Sequence, residues 1–245
     1  MEQQHFIFLP GFMCDGRLFV AQMRALGAKG HACTEADLSV TDTIEGIAEH
    51  ILSQAPARFI PVGLSMGGIV ALELYRQAPE RIGHLCLLGT TYHKDKMGQQ
   101  RAEQLSRVRA GELDLVLRDE LKPNYMHPDN RTPERLELLN AMADDLGAAV
   151  FETQTRALAN RRSYADLLAQ VECPTLIMVG EEDSVCPPAL HRDMAAAIRG
   201  SRLEILPACG HLIALEKPDA ISAALLDLIG TASRDEPDAR LCGID

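Results

Sequence analysis

A five-residue segment, Gly63-Leu64-Ser65-Met66-Gly67, constrains the fold of this chain more than any other feature. It follows an apolar run that ends at Val62 and precedes a run of good helix formers that begins at Ala71. A G-x-S-x-G pattern between a strand and a helix is typical of a sharp turn that raises the serine hydroxyl above the strand ends. Glycines are needed on both sides because side chains there would block the close approach of strand and helix. The segment therefore predicts a reactive serine at the N-terminus of a helix, whose N–H groups favour developing negative charge.

Apolar runs alternate with helical patterns through much of the chain. Six segments predict strands, at residues 5–9, 31–38, 58–62, 84–89, 174–180 and 203–206. The spacing of apolar residues predicts helices at residues 18–26, 43–54, 69–77, 188–198 and 218–229. Strands that alternate with helices indicate an α/β fold, in which a parallel sheet is covered by helices on both faces.

Residues 91–170 depart from this alternation, because they are charged, helical in period and free of good strands. Gly and Pro residues divide them into predicted helices at 95–110, 113–121, 133–146 and 148–159. This segment is too long for one crossover helix, so we predict a helical cap inserted after the strand at 84–89. Residues 1–90 and 171–230 then form the core. The polar segment 231–245 has no apolar stripe and predicts a flexible tail.

Composition narrows the class of protein. Hydrophobic residues make up 47% of the 245, enough for a sizeable core, and the formal net charge is −11. An acidic surface argues against nucleic acid and anionic membranes as partners. Seven scattered cysteines without metal spacing indicate reduced thiols, and neither a signal peptide nor a membrane span is predicted. We therefore expect a cytoplasmic protein without a metal, and monomer and homo-oligomer both stay open.

A nucleophilic serine needs an imidazole base, and that imidazole needs a carboxylate to fix its tautomer. His211 follows the last predicted strand, and Asp183 follows the strand before it. Both loops leave the carboxyl edge of the sheet, where the turn at Ser65 also lies, so the three side chains can converge. Their order along the chain, Ser, Asp, His, fits this arrangement. Glu181 and Glu182 are nearby carboxylates, but we favour Asp183.

The loop after the first predicted strand offers a candidate oxyanion donor. The strand ends at Pro10-Gly11, and the next backbone N–H belongs to Phe12. A backbone donor at this place would stabilise negative charge on a carbonyl oxygen. An ordinary strand-to-helix turn would have the same local sequence, so both interpretations stay open.

Four segments together resemble the α/β-hydrolase superfamily, in the branch of small esterases, lactonases and carbon–carbon hydrolases. They are FLPGF at 8–12, GLSMGG at 63–68, GEEDSVCP at 180–187 and CGHL at 209–212. The resemblance extends over about residues 5–229. It implies the α/β-hydrolase fold, with a mostly parallel sheet and helices on both faces, and residues 91–170 as the lid.

The resemblance also implies roles for individual residues. Ser65 would be the nucleophile, His211 the base and Asp183 the acid, while the N–H groups of Phe12 and Met66 would form the oxyanion hole. No metal or organic cofactor is implied. Two departures from the family pattern stand out. Pro10 replaces the usual histidine, which a backbone contact should tolerate, and two N-terminal strands are missing, which leaves a shortened sheet of about six strands.

The implied activity is two-step acyl transfer from a small-molecule acyl substrate, as in a carboxylesterase or a lactonase. Two alternatives stay open. One is a carbon–carbon bond hydrolase that acts on a vinylogous diketone, as found among aromatic ring-cleavage products. The other is a ligand receptor that keeps the fold with little turnover. A haloalkane dehalogenase is disfavoured because it needs a carboxylate where Ser65 stands.

Candidate substrate contacts come from apolar and basic side chains in and near the cap. Methionines and tyrosines that could line an apolar pocket, or simply pack in the core or lid, are Met13, Met66, Tyr92, Met97, Tyr125 and Met126. Arg161 and Arg162 could hold a substrate carboxylate, or they could form a solvated surface pair.

Overall fold

The computed structural model describes residues 3–121 and 125–232. Its strands are β1 (His5–Leu9), β2 (Ala32–Glu35), β3 (Ile60–Leu64), β4 (Leu85–Leu88), β5 (Thr175–Gly180) and β6 (Arg202–Leu206). They form one six-stranded sheet in the order β2-β1-β3-β4-β5-β6, and every neighbouring pair is parallel. The number of strands and the parallel pairing confirm the predicted fold class.

Helices connect the strands and cover the sheet. They are α1 (Val20–Gly27), α2 (Ile44–Gln54), α3 (Met66–Gln77), α4 (Gly98–Arg109), α5 (Leu113–Val116), α6 (Pro133–Asn160), α7 (Ala165–Leu168), α8 (Pro188–Ala197), α9 (Ile213–Glu216) and α10 (Pro218–Ala232). Short 3-10 helices occupy Gly16–Phe19, Pro79–Arg81 and Pro128–Asn130, and a π-helical turn, Leu117–Leu121, follows α5. Of the predicted tail, residues 231 and 232 end α10, and residues 233–245 lie outside the described part of the chain.

The two faces of the sheet receive alternate side chains of each strand. In β1, Ile7 and Leu9 join an apolar cluster with α2, α3 and α8, while Phe6 and Phe8 join a second cluster with α1 and α10. Strands β3, β4 and β5 are buried along their whole length. Continuous apolar runs of this kind are expected where helices cover both faces of a parallel sheet.

Some predicted boundaries moved, and tertiary packing explains the changes. The predicted strand at 31–38 shortens to β2, which lies at one edge of the sheet beside β1 and is partly exposed. The two helices predicted at 133–146 and 148–159 are confirmed as the two parts of α6, which meet at Gly147, where φ +74° and ψ −178° are not helical. Glycine can adopt this backbone conformation because it has no Cβ atom, so the chain changes direction between the two helical parts.

The segment between β4 and β5, residues 89–174, forms what we call the helical insertion, with α4, α5, α6 and α7. Its apolar side chains join all three clusters of the molecule. The smallest cluster joins the insertion to the loop after β1, and its buried members are Met13, Val108, Val116, Leu117, Ala143 and Phe151. This packing places the insertion over the carboxyl edge of the sheet.

Candidate active site

Ser65 occupies the turn between β3 and α3 in a strained backbone conformation, with φ +55° and ψ −113°. Left-handed backbone costs a residue other than glycine about 1–3 kcal/mol, so the surroundings must hold it in place. The Ser65 N–H donates to the Leu88 carbonyl at 2.9 Å, and the Thr90 hydroxyl donates to the Ser65 carbonyl at 2.7 Å. A side chain at Gly63 would overlap the backbone of Gly67, so this turn requires glycine. The result is a serine raised at the start of a helix.

His211 and Asp183 form a buried pair beside this turn. The His211 Nδ1 lies 2.8 Å from Asp183 Oδ2, and both side chains are almost completely shielded from solvent. The other carboxylate oxygen accepts N–H bonds from Val185 and Cys186, each at 2.8 Å. Both oxygens of the carboxylate are therefore engaged. Because Nδ1 carries the proton shared with the carboxylate, Nε2 is the nitrogen left to accept another proton.

The neighbouring carboxylates are placed differently. Glu181 and Glu182 are exposed, and Glu182 accepts the N–H bond of Cys209 at 2.8 Å. Within the described residues, Asp183 is the carboxylate of this loop that contacts an imidazole. The geometry thus favours Asp183 over the two alternatives that the sequence left open.

The loop that carries His211 is fixed from two sides. The His211 N–H donates to the Tyr125 carbonyl of the helical insertion at 3.0 Å. Glu216, which is buried, accepts N–H bonds from Gly210 at 3.0 Å and from His127 at 2.9 Å. A buried carboxylate that accepts several N–H bonds is well satisfied. Glu216 therefore ties the histidine loop to the insertion, a role that no sequence pattern indicated.

Ser65 and His211 open onto one cavity of about 430 Å³ between the sheet edge and the helical insertion. This volume falls in the range of about 300–1,000 Å³ typical of small-molecule sites. The core contributes residues of the loops after β1, β3 and β5, and the insertion closes the opposite side. Prominent side chains of the wall are Phe12, Met66, Ile69, Met97, Arg101, Tyr125, Leu158 and Arg161.

Both predicted oxyanion donors belong to residues of this wall. Met66 is the first residue of α3, and Phe12 follows Gly11 in the loop after β1. A Cβ atom built at Gly11 would lie 3.5 Å from the Cβ of Ser65, so this loop passes directly beside the serine. The structure therefore brings together the two loops whose N–H groups the sequence singled out. Their role as oxyanion donors stays a prediction.

A contact across the molecule holds the loop after β1. The Met13 N–H donates to Oε1 of Gln154 at 2.9 Å, and both residues are buried. Met13 itself has a φ of +54°, so this peptide also needs support. Gln154 belongs to α6 of the insertion, 141 residues away, and nothing local in the sequence pointed to it.

The predicted substrate contacts divide into two groups. Tyr125 and Arg161 line the cavity, as Met66 and Met97 do. The others do not line it. Met13 and Met126 are buried in apolar clusters, Tyr92 packs against a cluster and stacks on His93, and Arg162 is exposed. Helix packing decides which side of each segment faces the cavity, and the sequence pattern does not contain that information.

His191 supports the turn at Ser65 indirectly, through Thr90. It is completely buried on α8, and its Nε2 accepts the N–H of Thr90 at 2.9 Å. Its Nδ1 lies 3.2 Å from the Pro187 carbonyl, which fixes the proton on Nδ1. Burial lowers the pKa of His191 from 6.5 to about 4, so the imidazole is neutral near pH 7. Since Thr90 holds the Ser65 carbonyl, His191 belongs to the support of the turn.

Two further features of the described residues concern metal-binding groups and membrane-spanning helices. In the part of the chain that the structure describes, no group of three or more His, Cys, Asp or Glu side chains could hold a metal ion. No helix in that part is both long and apolar enough to cross a membrane.

These features define a class of protein. A parallel six-stranded sheet covered on both faces, with a helical insertion after β4 and a strained strand–helix turn at Ser65, is the α/β-hydrolase fold. The chain belongs to the alpha/beta hydrolase family, whose model matches residues 6–224. Family membership supports a hydrolase activity at a general level.

Similar proteins include enzymes that act on esters and lactones. A pimeloyl-[acyl-carrier protein] methyl ester esterase of Neisseria meningitidis is 24% identical, with 88% of this chain and 70% of that protein aligned. Among solved structures, a thermophilic esterase of Thermogutta terrifontis with malate bound has a TM-score of 0.83 at 23% identity, covering 93% of this chain and 90% of that one. The enol-lactonase of Burkholderia xenovorans has a TM-score of 0.84 at 20% identity, covering 94% and 92%. The structural likenesses show the fold.

Proposed function

We propose that this protein is a serine hydrolase that cleaves small-molecule esters, as a carboxylesterase or lactonase does, through Ser65, His211 and Asp183. The observation that carries the proposal is the cavity onto which the strained Ser65 and the Asp183-bound His211 both open. Nucleophile, base and orienting carboxylate are the three groups that acyl transfer requires.

The first half of the reaction forms an acyl-enzyme. The Ser65 hydroxyl oxygen attacks the ester carbonyl carbon while Nε2 of His211 accepts the hydroxyl proton. The carbonyl oxygen becomes an oxyanion, which the N–H groups of Phe12 and Met66 stabilise. When the tetrahedral intermediate collapses, His211 returns the proton to the leaving alkoxide, and an alcohol departs. Asp183 holds the imidazolium in place through its bond to Nδ1.

The second half regenerates the enzyme. A water molecule attacks the acyl carbon, and Nε2 of His211 accepts a water proton. Collapse of the second tetrahedral intermediate breaks the bond to Ser65, which takes the proton back from His211. One ester and one water thus give one carboxylic acid and one alcohol. The helical insertion acts as a lid that covers this chemistry.

The names of similar proteins support an ester or lactone bond as the target. The Neisseria protein is named for a methyl ester, and the Burkholderia structure for an enol-lactone. Both bonds yield to the same attack by an activated serine, and the present cavity has the volume for a small acyl group.

A hydrolysis panel with Ser65→Ala tests the proposal. Methyl and p-nitrophenyl esters from acetate to octanoate, several lactones and a vinylogous diketone are assayed with wild type and variant. We expect ester or lactone turnover by the wild type and a loss of about 1,000-fold or more in the variant. A fluorophosphonate probe should label the wild type and spare Ser65→Ala. Ser53→Ala, an exposed serine on α2, is the matched control.

Three results would contradict the proposal. Undiminished ester turnover by Ser65→Ala would remove Ser65 from the chemistry. Turnover confined to the diketone would make the protein a carbon–carbon bond hydrolase. Probe labelling without turnover of any compound in the panel would favour the ligand receptor.

A further inference from the structure

Two arginines and one aspartate form a charged cluster on the wall of the cavity. Nε of Arg101 lies 3.1 Å from Oδ1 of Asp95, and Nη1 of Arg161 lies 3.0 Å from the same oxygen. The side chains of Arg101, Arg161 and Asp95 are 14%, 8% and 3% exposed. Two cations therefore share one anion in a largely desolvated place, which leaves a net charge of about +1.

The two arginines differ in how much of their bonding capacity the protein uses. Arg161 also donates to the His93 carbonyl and to the Leu158 carbonyl, each at 2.9 Å. Burial lowers its pKa, which means that the surroundings disfavour its charge. Among the described residues, Arg101 is bonded through its Nε alone, to Asp95. A guanidinium has five N–H donors, so the Nη donors of Arg101, a residue that lines the cavity, have no hydrogen-bond partner among the described residues.

The other charge on the cavity wall is already paired. Glu120 accepts from Arg107 and, at 3.1 Å, from the amide of Gln104. Its partner Arg107 also pairs with Glu112 at 2.7 Å, near the surface. Glu120 is thus held by groups of the insertion. Arg107 is shared by two carboxylates, so this second cluster carries a net charge of about −1. The preference for an anion therefore depends on the local arrangement of Arg101 and Arg161, and not on the total charge of the cavity wall.

We propose that Arg101 and Arg161 form an anion subsite, so that the preferred substrates are esters or lactones that also carry a free carboxylate. The inference rests on the proposed function, because Ser65 shares the cavity with both arginines. A carboxylate is planar and accepts paired N–H bonds from a guanidinium fork.

A pair of isosteric esters tests the preference for charge. Monomethyl adipate carries a carboxylate at the end of its chain, and methyl 6-methylheptanoate carries an isopropyl group of the same shape. Methanol release gives kcat and KM for each. We expect the wild type to have a kcat/KM ratio of charged to neutral ester of about 10 or more, since a charged hydrogen bond is worth that factor.

Variants of the cluster should move this ratio in opposite directions. Arg101→Gln should lower it about 10- to 100-fold, mainly through the KM of monomethyl adipate. Asp95→Asn removes the shared counter-charge but keeps an acceptor for the Met97 N–H, so it should raise the ratio. Arg109→Gln, an exposed position on the same helix as Arg101, is the matched control and should leave the ratio unchanged. A merely structural cluster would not produce opposite shifts.

A binding measurement tests the anion subsite independently of the proposed hydrolase activity. Calorimetry with Ser65→Ala should show binding of monomethyl adipate, and the double variant with Arg101→Gln should bind it at least about 10-fold more weakly. Hydrolysis of neutral esters with a ratio near 1 that Arg101→Gln does not change would refute the subsite and leave the serine hydrolase standing. Arg101-dependent binding without turnover of any ester would keep the subsite and refute the hydrolase. Absence of both preference and binding would overturn the subsite.

Discussion

The sheet core and the helical insertion are held together by different means. The core strands are continuous apolar runs, buried on both faces, and the reactive side chains stand on loops at their carboxyl ends. The insertion packs partly through a smaller apolar cluster and contacts the loops of the site through polar bonds, such as those of Gln154 to the Met13 N–H and of the Tyr125 carbonyl to the His211 N–H. The contrast is consistent with our proposal, in which the core supplies the catalytic side chains and the insertion aligns them and selects the substrate.

Among the substitutions that we consider, Asp183→Asn in the core should have the largest effect on activity. The amide cannot accept the Nδ1 proton of His211 as the carboxylate does, so the imidazole loses its orientation and its stabilised cation. We expect kcat for an aryl ester to fall about 1,000- to 10,000-fold while the melting temperature changes little. Glu182→Gln, an exposed neighbour in the same loop, is the control. Equal losses in both variants would show that the loop, and not the carboxylate, matters.

Two phenylalanines allow the same substitution in both regions. Phe8 in β1 packs on Phe19, with ring centroids 4.9 Å apart, and Phe151 in α6 packs on Phe12 at 5.1 Å. Phe8→Ala should lower the free energy of unfolding by about 3–5 kcal/mol, as expected for a large cavity in a core. Phe151→Ala should lower the free energy of unfolding less than Phe8→Ala does, because the insertion can open locally. It should lower kcat more than Phe8→Ala does, because Phe12 loses the ring against which it packs.

Urea unfolding and kcat measured on both phenylalanine variants test this contrast. The result that would contradict it is a larger loss of stability in Phe151→Ala with normal turnover. Hydrogen exchange sharpens the comparison, because only Phe151→Ala should speed exchange selectively in α4 to α6.

The same contrast explains what the sequence could predict. The strands, the parallel character of the sheet and the positions of Ser65, Asp183 and His211 follow from local patterns, since period, turn chemistry and strand ends are all local properties. The roles of Gln154 and Arg101 depend on contacts between distant segments, which leave no local pattern. Four predicted substrate contacts, Met13, Tyr92, Met126 and Arg162, fail to line the cavity for the same reason.

His191 gives the core a dependence of stability on pH. Its pKa is lowered by burial to about 4 in the folded protein, against 6.5 in an unfolded chain, so the unfolded state binds more protons between these values. Its contribution to stability is complete above pH 6.5 and is lost as the pH falls toward 4. The loss amounts to about 3 kcal/mol at pH 4.

His191→Gln tests this, because glutamine can accept from Thr90 and donate to the Pro187 carbonyl without titrating. Unfolding free energies of the variant should fall less steeply than those of the wild type between pH 6.5 and 4. His31 and His84 also have pKa values lowered by burial, so a shallow slope persists in both proteins. Parallel curves for variant and wild type would show that His191 does not titrate in this range.

The smallest predicted effect concerns the hydrogen bond between Met13 of the core and Gln154 of the helical insertion. Gln154→Met keeps the shape of the side chain but removes the acceptor of the Met13 N–H, which leaves a buried donor unpaired at a cost of about 1–3 kcal/mol. The loop that carries the Phe12 N–H should then shift, so kcat should fall about 10-fold with a smaller change in KM. Thr175→Val removes the hydrogen bond that the buried Thr175 side chain donates to the Cys173 carbonyl, at the start of β5 and away from the carboxyl edge of the sheet, and is the matched control. If both variants lose similar stability and only Gln154→Met loses turnover, the insertion aligns the oxyanion loop. Equal turnover in the two would mean that the core alone holds this loop in its reactive position.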